Sequence, residues 1–169
     1  MNIFLLRHGE AADRAPDGTR NDDARELTAH GIERLRSACT TYAQLIGTPT
    51  KIVHSPLRRA RQSAEILAAV TSAGKLDELI EMDELRPGGR ASEMVDMLQA
   101  EFLNGCESLV LVGHEPLLGD LLGVLTSGND RFSLQMGKGM LAAVRMTEPQ
   151  VMIGRLMTMM SQSAALRLG

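Results

Sequence analysis

Short apolar segments alternate with helical patterns along most of this chain, and that alternation limits the possible folds more than any other feature. Four segments are predicted to be strands of one sheet: residues 2–6, 51–54, 78–82 and 108–112. Between them, apolar residues recur every three or four positions, which is typical of helices packed on a sheet. Strands that alternate with helices favour parallel pairing through crossover connections. The pattern therefore predicts an α/β fold with a mostly parallel sheet and helices on both faces.

The last third of the chain follows a different pattern. Two extended stretches, residues 140–146 and 151–159, are separated by Thr-Glu-Pro-Gln, and this arrangement favours an antiparallel hairpin. We therefore expect a three-layer αβα sandwich with a C-terminal antiparallel hairpin. The length predicts a single domain over residues 1–169, in which residues from about 162 to 169 are expected to fray.

Capping residues predict where two of the helices begin. Thr28 can cap a helix that closes at Gly47, because its hydroxyl can accept from a free N–H group of the first turn. Ser55 and Pro56 follow the second predicted strand. They suit an N-cap and the first helical position of the next helix.

Charge and hydropathy exclude several classes of partner. A formal net charge of −3 argues against a surface built for the nucleic-acid backbone. No apolar run approaches the roughly 18 residues of a membrane span. The N-terminal apolar run reaches Arg7 too early to be a secretory signal. We expect a cytoplasmic protein without a nucleic-acid or membrane partner, and we make no prediction of its oligomeric state.

Polar side chains follow each of the predicted parallel strands. The residues that stand out there are Arg7 and His8 after the first strand, Arg59 after the second, Glu84 after the third and His114 after the fourth. Ligands of open parallel sheets bind at the carboxyl ends of the strands. Two imidazoles, guanidinium groups and a carboxylate are therefore expected along one edge of the sheet.

This set of side chains suits phosphoryl transfer, in which catalysis comes mainly from positioning and from fixed positive charge around the phosphoryl oxygens. The planar guanidinium of arginine can bind two of those oxygens at once. A neutral imidazole can attack phosphorus and carry the phosphoryl group covalently. One histidine could then be the nucleophile and the other a cationic ligand. Because no cluster of carboxylates or histidines is apparent, we expect neither a metal ion nor a cofactor.

Three motifs in this order resemble the histidine phosphatase superfamily, also called the phosphoglycerate mutase-like fold. Leu-Arg-His-Gly-Glu at residues 6–10 matches its Arg-His-Gly signature. Residues 55–64 resemble its block Ser-Pro-Leu-x-Arg-Ala-x-Gln-Thr-Ala, and Val-Gly-His-Glu-Pro at residues 112–116 matches the third block. The short length and residues 22–31 are most similar to the SixA phosphohistidine phosphatase branch.

The resemblance implies a histidine phosphatase domain in which His8 is the nucleophile. It also implies that Arg7, Arg59 and His114 bind the phosphate and that no metal takes part. Glu84 lies about where many members of the superfamily keep a general acid, and it is therefore a candidate for that role. Members of the SixA type are thought to manage without such an acid.

Several functions remain open at this point. The leading hypothesis is a phosphatase of phosphohistidine in a protein. An alternative is a phosphatase of a small phosphorylated metabolite, because the phosphate site reads only the phosphoryl group and the loops read the rest of the substrate. A phospho-ligand binding module without turnover is disfavoured by the intact His8, and mutase activity by the absence of room for the insertions that enclose a sugar phosphate.

Overall fold

A computed structural model of the chain describes residues 1–71 and 79–169. The elements within these ranges are β1 (Asn2–Arg7), α1 (Ala29–Ile46), β2 (Lys51–His54), α2 (Arg58–Thr71), β3 (Leu79–Glu81), α3 (Ala91–Leu103), β4 (Ser108–Gly113), α4 (Leu117–Ser127), β5 (Leu141–Arg145), β6 (Arg155–Met160) and α5 (Gln162–Leu168). A short 3₁₀ helix, Asp83–Leu85, follows β3. No helix within the described ranges is long and apolar enough to cross a membrane.

The strands form one sheet in the order β3-β2-β4-β1-β5-β6. β4 pairs in parallel with both β1 and β2, and β2 pairs in parallel with β3. β5 runs antiparallel to β1 and to β6. All six residues of β4 are buried, as expected for a strand that is covered on both faces. The predicted mostly parallel sheet with an antiparallel C-terminal hairpin is confirmed.

Two hydrophobic clusters cover the two faces of the sheet. Successive residues of a strand point to opposite faces, and β4 shows this clearly. Leu109 and Leu111 belong to a cluster with residues of α3 and α4. Val110 and Val112 belong to a second cluster with residues of α1, α2 and α5. Each cluster is one half of the three-layer αβα core, and together they fix the sheet between two layers of helices.

The first helix begins and ends as its capping residues predicted. The Thr28 hydroxyl accepts a hydrogen bond from the Gly31 N–H at 2.8 Å. At the other end, Gly47 has φ +68° and donates to the Ala43 carbonyl. That φ lies in the left-handed region, where glycine has no side chain to strain.

The second helix begins later than predicted. α2 starts at Arg58 rather than at Pro56, so the prediction of Ser55 as its N-cap was wrong. The Ser55 hydroxyl instead accepts from the Leu57 N–H at 3.3 Å and lies 2.9 Å from a ring nitrogen of His114. A contact with a residue that is distant in sequence therefore decides the conformation of this turn.

We expected the C-terminal residues to fray, but the structure shows them ordered in a helix. They form α5, whose N-cap Ser161 accepts from the Ala164 N–H at 3.1 Å. Ala165 is fully buried, and its carbonyl accepts from the Thr41 hydroxyl of α1 at 3.0 Å. Docking on α1 supplies the stability that a helix of this length lacks by itself.

Two strands are shorter than predicted. β3 spans Leu79–Glu81 within the predicted 78–82, of which Glu78 lies outside the described residues. β6 begins at Arg155 rather than at residue 151. The Gly154 N–H donates to the Leu125 carbonyl of α4 at 2.7 Å, so this part of the chain bonds to a helix before it joins the sheet.

Candidate active site

The two central parallel strands bring both signature histidines to the same edge of the sheet. Arg7 at the end of β1 is in register with Gly113 at the end of β4, so His8 and His114 follow at neighbouring positions. Their ring centroids are 4.9 Å apart. The two rings line one open cavity of about 310 Å³, whose lining residues are Arg7, His8, Asp22, Arg25, Arg59, Pro87, His114, Glu115 and Lys138. Larger surface grooves beside α2 include neither histidine.

The geometry of His8 leaves one ring nitrogen free for chemistry. Its Nδ1 lies 2.7 Å from the Gly9 carbonyl oxygen. A carbonyl can only accept, so Nδ1 carries the proton and Nε2 carries the lone pair. The pKa of His8 is lowered to about 4, mainly by burial and also by the charges of Arg59 and Arg7. The hydrogen bond to Gly9 acts in the opposite direction and raises the pKa. His8 is therefore neutral near pH 7, which is the form that can attack phosphorus.

His114 is held by Ser55, a residue that has no place in the predicted chemistry. Its Nε2 lies 2.9 Å from the Ser55 hydroxyl. Its Nδ1 is buried and has no hydrogen-bond partner among the described residues. Burial is the main cause that lowers the pKa of His114 to about 3, and the neighbouring His8 and Arg59 contribute in the same direction while Asp22 opposes them. Since an anion in the cavity would oppose these effects, a bound phosphoryl group would favour the charged imidazolium.

Arg7 is fixed by the backbone of the segment that precedes β5. Its Nη1 donates to the Met136 carbonyl at 2.7 Å. Its Nε is buried without a hydrogen-bond partner among the described residues. Arg7 is half-buried and lines the cavity, so the part of its guanidinium that is not bonded to Met136 suits an anionic ligand.

Arg59, unlike Arg7, is a buried residue, and it has an acidic partner. It donates to the backbone oxygen of Asp22 at 2.7 Å and to its carboxylate at 2.9 Å. The neighbouring Arg58 points away and pairs with Glu26 at 2.6 Å on the surface. Arg59 therefore faces the cavity, while Arg58 belongs to the exposed side of the helix.

The structure does not bring Glu84 into this cavity. Its side chain is exposed in the 3₁₀ helix after β3, and it is not among the lining residues. Arg86, which could have been its ion-pair partner, binds Asp83 and Asp23 instead. The role of Glu84 as a general acid stays a prediction without geometric support, and the carboxyl groups that line the cavity are those of Asp22 and Glu115.

Four charged lining residues were missed by the sequence analysis, and one of them, Glu115, directly follows His114. Asp22 and Arg25 come from the irregular stretch before α1, and Lys138 from the stretch before β5. Neither stretch has a periodicity that predicts where its side chains point. For Asp22 and Arg25 the available signal was the length of the loop, since long loops in compact domains are often functional.

The described residues contain no arrangement of three or more His, Cys, Asp or Glu side chains that could hold a metal ion. The cavity is lined by two neutral imidazoles whose ring centroids are 4.9 Å apart, and by the guanidinium groups of Arg7 and Arg59, of which Arg59 is buried. This combination can bind a tetrahedral oxyanion and offer it a nitrogen nucleophile.

Comparison with known proteins identifies the family. The model of the histidine phosphatase superfamily (branch 1) matches residues 3–118. The phosphohistidine phosphatase SixA of Escherichia coli K12 is 29% identical over 128 residues, which cover 76% of each chain. A SixA homologue of Haemophilus influenzae is 30% identical over 133 residues, or 74% of this chain and 77% of the homologue.

The fold comparison agrees with the sequence comparison. The structure of the protein histidine phosphatase SixA in complex with tungstate superposes with a TM-score of 0.84. The match covers 96% of this chain and 98% of the other, at 25% identity. The chain therefore belongs to branch 1 of the histidine phosphatase superfamily, and phosphatase activity is the function that its fold and its relatives support.

Proposed function

We propose that this protein is a metal-independent phosphatase that removes the phosphoryl group from phosphohistidine in a protein. The observation that carries the proposal is the state of His8. Its Nδ1 proton is held by the Gly9 carbonyl at 2.7 Å, and its ring lines a cavity that also contains Arg7, Arg59 and His114. A neutral imidazole with a free Nε2 beside three cationic or potentially cationic groups is suited to accept a phosphoryl group.

The first step transfers the phosphoryl group to His8. A bond forms between Nε2 and phosphorus while the bond between phosphorus and the nitrogen of the substrate imidazole breaks. The electron pair of the broken bond stays on the departing ring, which leaves as neutral imidazole because its other nitrogen already carries a proton from solvent. The attacking ring becomes positively charged, and its Nδ1–H is already directed at the Gly9 carbonyl oxygen. That hydrogen bond stabilises the charge as it develops.

The second step restores the enzyme. Water attacks phosphorus, the bond to Nε2 breaks, and its electron pair returns to the His8 ring as inorganic phosphate leaves. In both steps the guanidinium groups of Arg7 and Arg59 neutralise the oxygens of the transferring group. His114 can donate a hydrogen bond to the same oxygens, most strongly when a bound anion raises its low pKa.

The leaving group distinguishes the proposed substrate from the alternative. Imidazole has a pKa of about 6.5 and can depart with little help from an acid. An alkoxide is far more basic, so hydrolysis of a sugar phosphate gains from a general acid that is typically worth about 10²–10⁴-fold. Glu84 is exposed and outside the cavity lining, which favours the phosphohistidine substrate. The names of the relatives from E. coli and H. influenzae support the same choice.

The proposal is tested with a panel of substrates: a phosphohistidine-containing protein domain, an aryl phosphate and several sugar phosphates, each with and without EDTA. We expect kcat/KM on the phosphohistidine protein to exceed that on sugar phosphates by at least about 10²-fold, the size of the missing acid catalysis. EDTA should change none of the rates. Efficient hydrolysis of one sugar phosphate would favour the metabolite phosphatase, and a strict requirement for added Mg²⁺ or Zn²⁺ would contradict metal independence.

A further inference from the structure

The segment of residues 132–139 is part of the connection from α4 to β5, and it contributes Lys138 to the lining of the cavity. It runs directly over α4 at two glycines. A Cβ atom at Gly123 would lie 1.6 Å from the Phe132 carbonyl oxygen, and one at Gly119 would lie 2.9 Å from the Leu134 carbonyl oxygen. The Leu134 N–H donates to the Gly119 carbonyl at 3.0 Å. The segment therefore lies against the bare backbone of the helix, a close approach that glycine permits.

Glu115 connects this segment to the phosphate site. One of its carboxylate oxygens, Oε1, accepts from the Met136 N–H at 3.1 Å. The carbonyl of the same residue, Met136, accepts from Nη1 of Arg7 at 2.7 Å. The Met136 side chain is itself buried. A chain of two hydrogen bonds thus runs from the carboxylate of Glu115 through one residue of backbone to the guanidinium of Arg7.

The charge of Glu115 makes this contact informative. Burial raises the pKa of its carboxyl group, while the Met136 N–H and the charge of Arg7 oppose that rise. A carboxylate on the lining of the cavity repels a phosphoryl dianion, so its direct effect on such a ligand is unfavourable. Any contribution to binding has to come through the group that it holds in place.

We propose that Glu115 is a positioning residue that orients Arg7 for the phosphoryl group by fixing the backbone at Met136. The proposal rests on the phosphate-binding role of Arg7 in the proposed function. Glu115 itself does not touch the transferring group. Its acceptor oxygen keeps the Met136 carbonyl in the direction that holds Nη1, and the rest of the Arg7 guanidinium, which lines the cavity, is left for a ligand oxygen.

The test is a double-mutant cycle on the affinity for inorganic phosphate, measured by calorimetry with Glu115→Ala, Arg7→Ala and the double variant. Glu115→Ala should weaken phosphate binding about 10-fold, within the usual range for contacting residues, and should have no further effect once Arg7 is absent. Glu115→Gln keeps an acceptor oxygen at the same place and should retain most of the affinity. Asp130→Ala, which removes an exposed carboxylate near the start of the same connection, is the matched control and should bind like wild type.

Two results would overturn the proposal. One is an equal fold-loss from Glu115→Ala with and without Arg7, since this would mean that Glu115 acts elsewhere or only on stability. The other is a loss in Glu115→Gln as large as in Glu115→Ala, since this would assign the effect to charge. If Glu115→Ala does not fold, Glu115→Asp replaces it in the cycle. Unchanged phosphate binding in Arg7→Ala alone would instead contradict the proposed phosphate site.

Discussion

The two arginines of the cavity are held in different ways. Arg7 donates to the backbone carbonyl of Met136, a neutral partner in a buried position. Arg59 donates to the carboxylate and backbone oxygen of Asp22, whose side chain is 50% exposed on an irregular loop. A phosphoryl group can bind Arg7 without displacing its partner. At Arg59 it has to displace or share an anion, so the first arrangement is ready for the ligand and the second has to be rearranged.

The electrostatics of Asp22 explain why its pairing with Arg59 is stable. Burial raises the pKa of its carboxyl group, but hydrogen bonds from Arg59 and Arg25 outweigh burial and lower the pKa. Asp22 is therefore ionised and pairs with a guanidinium that is only 6% exposed. A buried cation without a partner is costly, and Asp22 supplies that partner until an anionic ligand arrives.

The largest effect within this comparison is expected at Arg59 itself. Arg59→Lys should lower kcat/KM on the order of 10²–10³-fold, because a point charge does not reproduce a bidentate contact with the transferring group. Arg58→Lys is the matched control and should stay within about twofold, since that side chain is 61% exposed and pairs with Glu26. The measurement is kcat/KM of the two variants by steady-state kinetics, compared with the wild type. Equal losses at both positions would show that the wrong arginine has been placed in the cavity.

The effect of each arginine on the nucleophile can be measured separately. By NMR titration, His8 should titrate near 4 and His114 near 3, since burial and the surrounding positive charge disfavour the imidazolium. Removing a cation favours protonation, so Arg59→Gln and Arg7→Gln should each raise the pKa of His8. The rise should be larger for Arg59→Gln, because the charge of Arg59 has the larger effect. An ordinary pKa near ~6.5 for His8 in the wild type would contradict its burial in the neutral form.

A smaller effect is expected from the competing carboxylate. Asp22→Asn should strengthen the binding of inorganic phosphate by about 1.4- to 5-fold, because a partly exposed ion pair is worth roughly 0.2–1 kcal/mol and no longer has to be exchanged. Asp23→Asn is the control, since Asp23 pairs with Arg86 at the surface. Isothermal titration of phosphate into the three proteins gives the comparison. Weaker binding in Asp22→Asn would mean that Asp22 supports the ligand rather than competing with it.

The smallest effect is expected at Glu84. Glu84→Gln should leave dephosphorylation of phosphohistidine nearly unchanged, because the carboxyl group is exposed and does not line the cavity. The imidazole leaving group needs little help from an acid. The measurement is the rate on a phosphohistidine protein beside the rate on an alkyl phosphate. A large loss on phosphohistidine would assign Glu84 a role that its position does not suggest.

The parts of the fold that sequence predicted are those that local pattern decides. β4 could be predicted because an unbroken apolar run has few alternatives to a buried strand, and α1 because Thr28 and Gly47 mark its ends. The start of α2 could not be predicted, since the Ser55 hydroxyl lies against His114, 59 positions away. Helix α5 could not be predicted either, since its Ala165 carbonyl is bound by the hydroxyl of Thr41, 124 positions away.

The same difference between local pattern and distant contacts applies to the residues of the candidate site. His8 and His114 end apolar strands, so their positions followed from the sheet. Asp22 lies on an irregular loop and meets Arg59, 37 positions away, through a contact for which the sequence has no periodic signal. The residues that approach the cavity from loops therefore had to come from the structure.

The account as a whole depends on Nε2 of His8 as the phosphoryl acceptor. The most direct measurement is to mix the enzyme with a labelled phosphohistidine protein, quench within milliseconds, and locate the label by mass spectrometry and ³¹P NMR. We expect a transient phosphoenzyme with phosphorus on Nε2 of His8. His8→Ala should form none and should not turn over, although it should still bind inorganic phosphate through Arg7 and Arg59. Rapid turnover without label on His8, or appreciable turnover by His8→Ala, would contradict the account.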